Sequence, residues 1–194
     1  MVNSKLFGGM ILLLAVASCR CDPPVVIDLG PVPDSILASV PYQNGMTYSF
    51  RHSVGQPILF GASRDSREEQ TWCEWRCCEE VYKYQVVTTT LKPDYPVFDL
   101  TFVLTSQNND HPGLYAWIGR SDFYIPLIPD ERGWVTCSDS LLIGNRWYRD
   151  VLRIGRGNSG FLDGLIYPDT LYYNFSEVII RITMSNDEYY EIDN

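Results

Sequence analysis

The feature that most constrains the fold is a series of short apolar–polar alternations separated by turn residues. "FDLTFVLTS", from Phe98 to Ser106, alternates and is rich in β-branched and aromatic residues, as a half-buried strand requires. "YKYQVVTTTL" behaves in the same way, and the "KPDYP" between them is a turn by its prolines and aspartate. In "LLIGNRWYRDVLRIG", Gly144-Asn145 supplies a two-residue hairpin turn between apolar arms. The last stretch predicts three strands, roughly 164–173, 177–184 and 188–192, with "SND" linking the final two. One segment, "SREEQTWCEWRCCEEVY", suits a helix by its glutamates and a strand pair by its Trp, Cys and Val. No internal repeat of fixed period is present. The expectation is an all-β domain, an antiparallel β-sandwich or barrel-like meander.

The amino terminus has a different character. Lys5 precedes an apolar run from Leu6 to Ala17 that ends in small residues before a cysteine, the layout of a secretory signal. The run is shorter than the roughly 20 residues that span a bilayer. "VASC", Val16 to Cys19, resembles the lipobox of bacterial lipoproteins. The resemblance implies cleavage before Cys19 and lipidation of that cysteine, and several acyl chains anchor far more firmly than one. Arg20 in place of Asp after the cysteine favours the outer membrane. The expected organisation is a lipoprotein signal over 1–18, a lipidated Cys19 with a Pro-rich tether over 19–41, and one β-rich domain over 42–194. The tether reading rests on the prolines of "DPPVVIDLGPVPDSILASVP", which stiffen and extend a chain. "VVIDL" within it is the alternative, an added edge strand.

Charge bounds the partners. The chain carries a formal charge of −9, and losing Lys5 with the signal makes the mature protein more acidic still. Nucleic acid and anionic lipid draw their affinity from Lys and Arg on phosphates, so nucleic-acid partners are excluded. About 150 residues beyond the tether suffice for one domain with its own core.

"NRWYRDVLRI", a Gly-containing loop and "LYYNFSEVIIRITMSNDEYYEI" together resemble a family of Bacteroidota lipoproteins that has no assigned activity. "PYQNGMTYSFRHSVGQ" and "LKPDYPVFDLTFVL" fit the same family pattern. The chain departs from it at Val178, where the family has Gly before "IIxI". That departure bears on the turn and leaves the strand expected. If the lineage holds, the "DSI", "DSL" and "DTL" triplets resemble its O-glycosylation acceptor, with Ser35, Ser140 and Thr170 as candidate sites.

The cysteine cluster "TWCEWRCCEE" reads through the compartment. Outside the cytoplasm thiols oxidise, so Cys73, Cys77, Cys78 and Cys137 form an even set expected to close two disulfides. Cys77 and Cys78 are neighbours, and a bond between neighbours is strained, so each is expected to reach elsewhere. Cys21 is left over. The rival is zinc held by these thiolates, or by three of them with His52 or His111, but paired knuckles are lacking. A thiol nucleophile needs a nearby base, and only two histidines are available.

Other motifs carry less. "RIGRGNSGFLDG" is glycine-rich but leads into a strand, whereas a phosphate cradle leads into a helix. Adjacent acidic pairs such as Glu68-Glu69 and Asp187-Glu188 point to opposite faces of a strand, a poor start for two-carboxylate glycoside hydrolysis. Trp72, Trp75, Trp117 and Trp134 lie in turn-rich sequence and are the expected exposed aromatics, suited to a glycan or peptide. No cofactor or metal site is implied. The expectation is a lipid-anchored envelope protein that binds a glycan or envelope protein without catalysis. The alternatives are an envelope-glycan hydrolase, with carboxylates converging from distant strands, and a Cys-centred metal protein.

Overall fold

The computed structural model describes residues 24–72, 80–108, 112–127, 135–157 and 165–193. The signal segment, Cys19, Cys21, Cys73, Cys77, Cys78, Trp75, Trp134 and His111 lie outside the described residues. The chain divides into two units: residues up to Asp28 with Gln70–Lys83, and Leu29–Glu69 with Tyr84–Asn194.

The regular structure of the described residues is nearly all strand. The strands are β1 (Val25–Asp28), β2 (Thr47–His52), β3 (Pro57–Trp72), β4 (Glu80–Pro93), β5 (Leu100–Thr105) and β6 (Gly113–Ile118), followed by β7 (Ser121–Pro126), β8 (Thr136–Ile143), β9 (Arg146–Gly155), β10 (Pro168–Asn174), β11 (Val178–Met184) and β12 (Tyr189–Ile192). One four-residue helix, α1, spans Asp34–Leu37. In the smaller unit β1 pairs with β4 in parallel, Val25 opposite Glu80 through Asp28 opposite Lys83. "VVIDL" is therefore a strand, as its alternative reading had it.

In the larger unit the strand order is β7-β6-β5-β4-β3-β2-β12-β11-β10-β9-β8. Hairpins β4–β5, β5–β6 and β6–β7 pair antiparallel, as do β10–β11 and β11–β12. This sheet curls. Gly157 N–H donates to Asp122 O at 2.8 Å and Ser121 Oγ to Pro168 O at 2.6 Å, which brings β7 beside the end of β9 and the start of β10. Alternation puts Leu100, Phe102 and Leu104 of β5, Leu114, Ala116 and Ile118 of β6, and Phe123 and Ile125 of β7 into one core with Phe50, Phe60, Leu171 and Ile182.

Part of the Pro-rich stretch expected as a tether packs into the core. Val32, Val40 and Tyr42 are buried in that core, with Ile36 and Leu37 packed against it. The segment is also pinned by hydrogen bonds. Val32 N–H donates to Gln85 Oε1 (2.8 Å), Ser106 Oγ donates to Gly30 O (2.7 Å), Arg64 Nη2 donates to Val40 O, and Tyr173 Oη donates to Ser39 O (2.7 Å). Prolines stiffen this stretch without making it a spacer, because its apolar residues have a core to enter.

The expected Gly144-Asn145 turn is present. Ile143 pairs with Arg146, and Gly144 takes φ +59°, as the first central position of a II′ turn requires. Beyond this the hairpin behaves in a way its pattern does not foretell. β9 pairs with β10 only from Leu152 to Gly155, while its pairing with β8 continues to the tip. Asp150 adopts φ +51° where the two ladders part. The tip reaches β12, since a Cβ on Gly144 would lie 3.2 Å from Glu191 Oε2. This arm closes a second apolar cluster of Ile143, Tyr148, Val151 and Ile180, with Leu141 and Tyr172 against it.

Val178 resolves the question its position raised. The β10–β11 turn keeps the left-handed geometry that suits Gly, with Val178 at φ +67°. Asn174 Oδ1 accepts the N–H groups of Ser176 (3.1 Å) and Glu177 (2.6 Å), fixing the turn, while burial of the Val178 side chain holds the strained residue in place.

Two outcomes follow from the core. Val178→Gly is expected to cost about 1–2 kcal/mol less than Val87→Gly, a buried valine in ordinary strand geometry, because it releases the left-handed strain; equal losses in urea unfolding would contradict this. Burial pushes the phenols of Tyr42 and Tyr173 well above the ordinary tyrosine range, against the lowering effect of hydrogen bonds to Ile179 and Ser39. The unfolded chain then releases these protons near pH 10 while the folded chain keeps them. Stability is whole below about pH 10 and falls above it, by up to about 1.4 kcal/mol per pH unit for each tyrosine. Urea midpoints followed from pH 8 to 11 should decline at the alkaline end, and less steeply in Tyr42→Phe.

Candidate functional site

The outward face of β4 to β7 is built by the same alternation that fills the core. Register sets two rows across it: Thr88, Val103, Tyr115 and Tyr124, then Thr90, Thr101, Trp117 and Asp122. Tyr115, Trp117 and Tyr124 are 40–43 % exposed, although each is large enough to be core. Tyr115 and Trp117 lie near-parallel, with ring planes 22° apart and centroids 6.2 Å apart. Tyr124 packs on Tyr115 across the strands at 5.2 Å.

Part of this arrangement stabilises the sheet. Tyr115 and Tyr124 form a cross-strand aromatic pair, which contributes up to about 1 kcal/mol. The Tyr124 ring also lies over Gly113, whose missing Cβ would fall 2.2 Å from Cε2 of that ring. Gly113 thus sets how flat Tyr124 lies on the face. Trp117 has no such partner across the strands. It stands opposite Thr101 and Asp122, and the Asp122 carboxylate faces Gly157, where a Cβ would fall 2.3 Å from Oδ2. Among the described residues Asp122 Oδ1 is buried with no hydrogen-bond partner. The indole of Trp117 is thus exposed with no aromatic partner across the strands among the described residues. Threonines border the rings, so the face offers aromatic surface next to hydroxyl groups.

The residues singled out from sequence fall as follows. Trp117 is exposed, but it lies within β6 instead of in a turn; the pleat, not a loop, turns it outward. Trp72 is exposed at the end of β3, in the smaller unit. Ser35 on α1 and Ser140 on β8 are exposed. Thr170 is not available in the folded chain: it is buried within β10 between Thr183 and Gly155, with its hydroxyl on Asp169. Cys137 is exposed on β8, and among the described residues it has no disulfide partner. His52 is in contact with Glu188 (3.7 Å) and packs on Tyr190, and among the described residues no three metal-ligating side chains converge. Glu69 is bound to Arg67 at 2.7 Å, which holds its carboxyl below the usual range. Sequence reading missed Tyr115 and Tyr124. The alternations "GLYAWI" and "SDFYIP" carry the signal that would have found them.

No family model matches the chain, and no curated protein or solved structure proved similar to it.

Proposed function

We propose that this chain is a lipid-anchored, non-catalytic module of a bacterial cell envelope, and that it binds glycan on the outward face of β5 to β7. The observation that carries this reading is the exposed trio Tyr115, Trp117 and Tyr124 on a rigid sheet, with Trp117 opposite a carboxylate and a threonine instead of an apolar partner. Contiguous exposed aromatics on a stable sheet mark interaction surfaces. The C–H face of a pyranose stacks on such rings, while its hydroxyls need short polar neighbours of the kind that Thr88, Thr90 and Thr101 provide. The acidic chain favours a neutral polymer over a polyanion.

The anchor in this reading is Cys19, with the signal over 1–18 removed and the barrel-like sheet carried at the outer membrane on a shortened link. The reading rests on the lipobox resemblance and on the apolar run before it. Among the described residues no helix is long and apolar enough to cross a membrane. In the oxidising compartment this implies, Cys73, Cys77, Cys78 and Cys137 close two disulfides.

Affinity electrophoresis through gels holding a β-glucan, a mannan or a xylan tests the binding face, together with co-sedimentation on peptidoglycan. At least one polymer should retard the protein, and Trp117→Ala should weaken retardation about tenfold with little change in stability. Retention that is unaffected in both Trp117→Ala and Tyr124→Ala would remove the face from consideration. For the disulfides, protein made in a bacterial periplasm and alkylated without reductant should leave Cys137 unlabelled. A fully labelled Cys137 would rule out its pairing.

A further inference from the structure

A second site lies away from the aromatic face, where the β8–β9 arm folds beside the β10–β11 turn. Between them is an open cavity of about 270 Å³, with Trp147 and Phe175 among its walls and Arg146, Arg149, Asp150 and Glu177 supplying its polar groups. Trp147 is 66 % exposed and Phe175 45 %, so both rings stand in solvent beside a formed hollow.

The polar groups are held in position. Arg146 is fixed from two sides, by Glu177 Oε1 at 2.8 Å and by the Tyr148 ring, whose centroid lies 5.1 Å from the guanidinium carbon. Glu177 is set by its turn, through its N–H to Asn174 Oδ1, and Asn174 Nδ2 donates to Arg149 O at 3.2 Å, tying the two walls together. Asp150, which lines the cavity, is a non-glycine residue in left-handed geometry. Such strain persists only where surrounding structure over-determines it, and it gathers at ligand sites.

The chemistry of the cavity selects its occupant. Two arginines and two carboxylates balance, and Arg146 is already neutralised by Glu177, so a net ionic ligand gains nothing. A guanidinium beside a carboxylate presents donors and acceptors together, which suits vicinal hydroxyls. Two exposed aromatic walls suit the apolar face of a ring. The volume lies just under the range for drug-sized ligands, enough for one substituted six-membered ring and not for an enclosed polymer segment. We propose that this cavity binds a single neutral pyranose, a terminal or unlinked sugar, against Trp147 and Phe175, with its hydroxyls on the Arg146–Glu177 pair. The site is separate from the β5–β7 face and stands without it.

The test is saturation-transfer NMR on the full chain with the methyl glycosides of glucose, galactose, mannose and N-acetylglucosamine, and with free tryptophan as a zwitterionic competitor. At least one glycoside should receive saturation, with a dissociation constant on the order of millimolar. Binding should weaken about tenfold in Trp147→Ala and in Glu177→Gln and hold in Trp117→Ala. Trp147 is largely exposed, so an unchanged urea midpoint would show that its variant is folded. The proposal fails if no glycoside receives saturation, or if binding survives both Trp147→Ala and Phe175→Ala. It also fails if tryptophan displaces the glycoside, which makes the occupant an amino acid. Loss in Trp117→Ala with retention in Trp147→Ala would assign the sugar to the β5–β7 face, leaving the earlier reading intact and this one overturned.

Discussion

The larger unit depends on how its curled sheet is filled. A sheet that bends until β7 nears β9 and β10 encloses an apolar core, and Tyr42 is buried within it. Its ring meets Tyr48 of β2 edge-on at 4.7 Å and Phe102 of β5 at 5.4 Å, and its hydroxyl accepts the N–H of Ile179 on β11 at 3.5 Å. One side chain thus touches three strands well separated in the sheet order. Tyr173 completes the arrangement from β10 by holding the backbone at Ser39. Because both phenols have hydrogen bonds, two polar groups are buried without the penalty an unpaired one would incur.

That filling fixes what the rest of the sheet can do outside. With Leu114, Ala116, Ile118, Phe123 and Ile125 committed inward, the pleat leaves Tyr115, Trp117 and Tyr124 outward on a backbone that is rigid behind them. A binding face on such a support loses little side-chain and backbone freedom when it is occupied. The second apolar cluster has the opposite logic. There the arm leaves its ladder at Asp150 and covers Ile180 from outside, so that β11 is buried on both faces. The hollow beside the arm is a by-product of that departure, and its aromatic walls come from the tip of one hairpin and the turn of another.

Taken together, the two surfaces present aromatic rings in different settings. The β5–β7 face is open, bordered by threonines, and suits an extended chain. The cavity is small, charge-balanced and suits one ring end. A chain bearing both would distinguish the length of a glycan from its terminus, with neither site needing a charged ligand. The net charge of −9 fits that division, since it discourages polyanions.

The sequence determined the strands and the way their faces divide, because alternation is a local property that each strand carries for itself. β5, the Gly144-Asn145 hairpin and the last three strands are legible for that reason, as is the strand after Val178. Trp117 is legible as an exposed aromatic, though its place within a strand is not. Only the tertiary structure decided that Val32, Val40 and Tyr42 belong to the core, because a proline-rich stretch reads as a spacer until there is a curled sheet to fill. It alone decided that Val178 would bear a glycine's conformation, since the compensation comes from burial. The cavity at Trp147 and Phe175 belongs there too: those residues are some 28 positions apart in the chain, and they line one hollow because the β8–β9 arm turns away from its neighbour at Asp150.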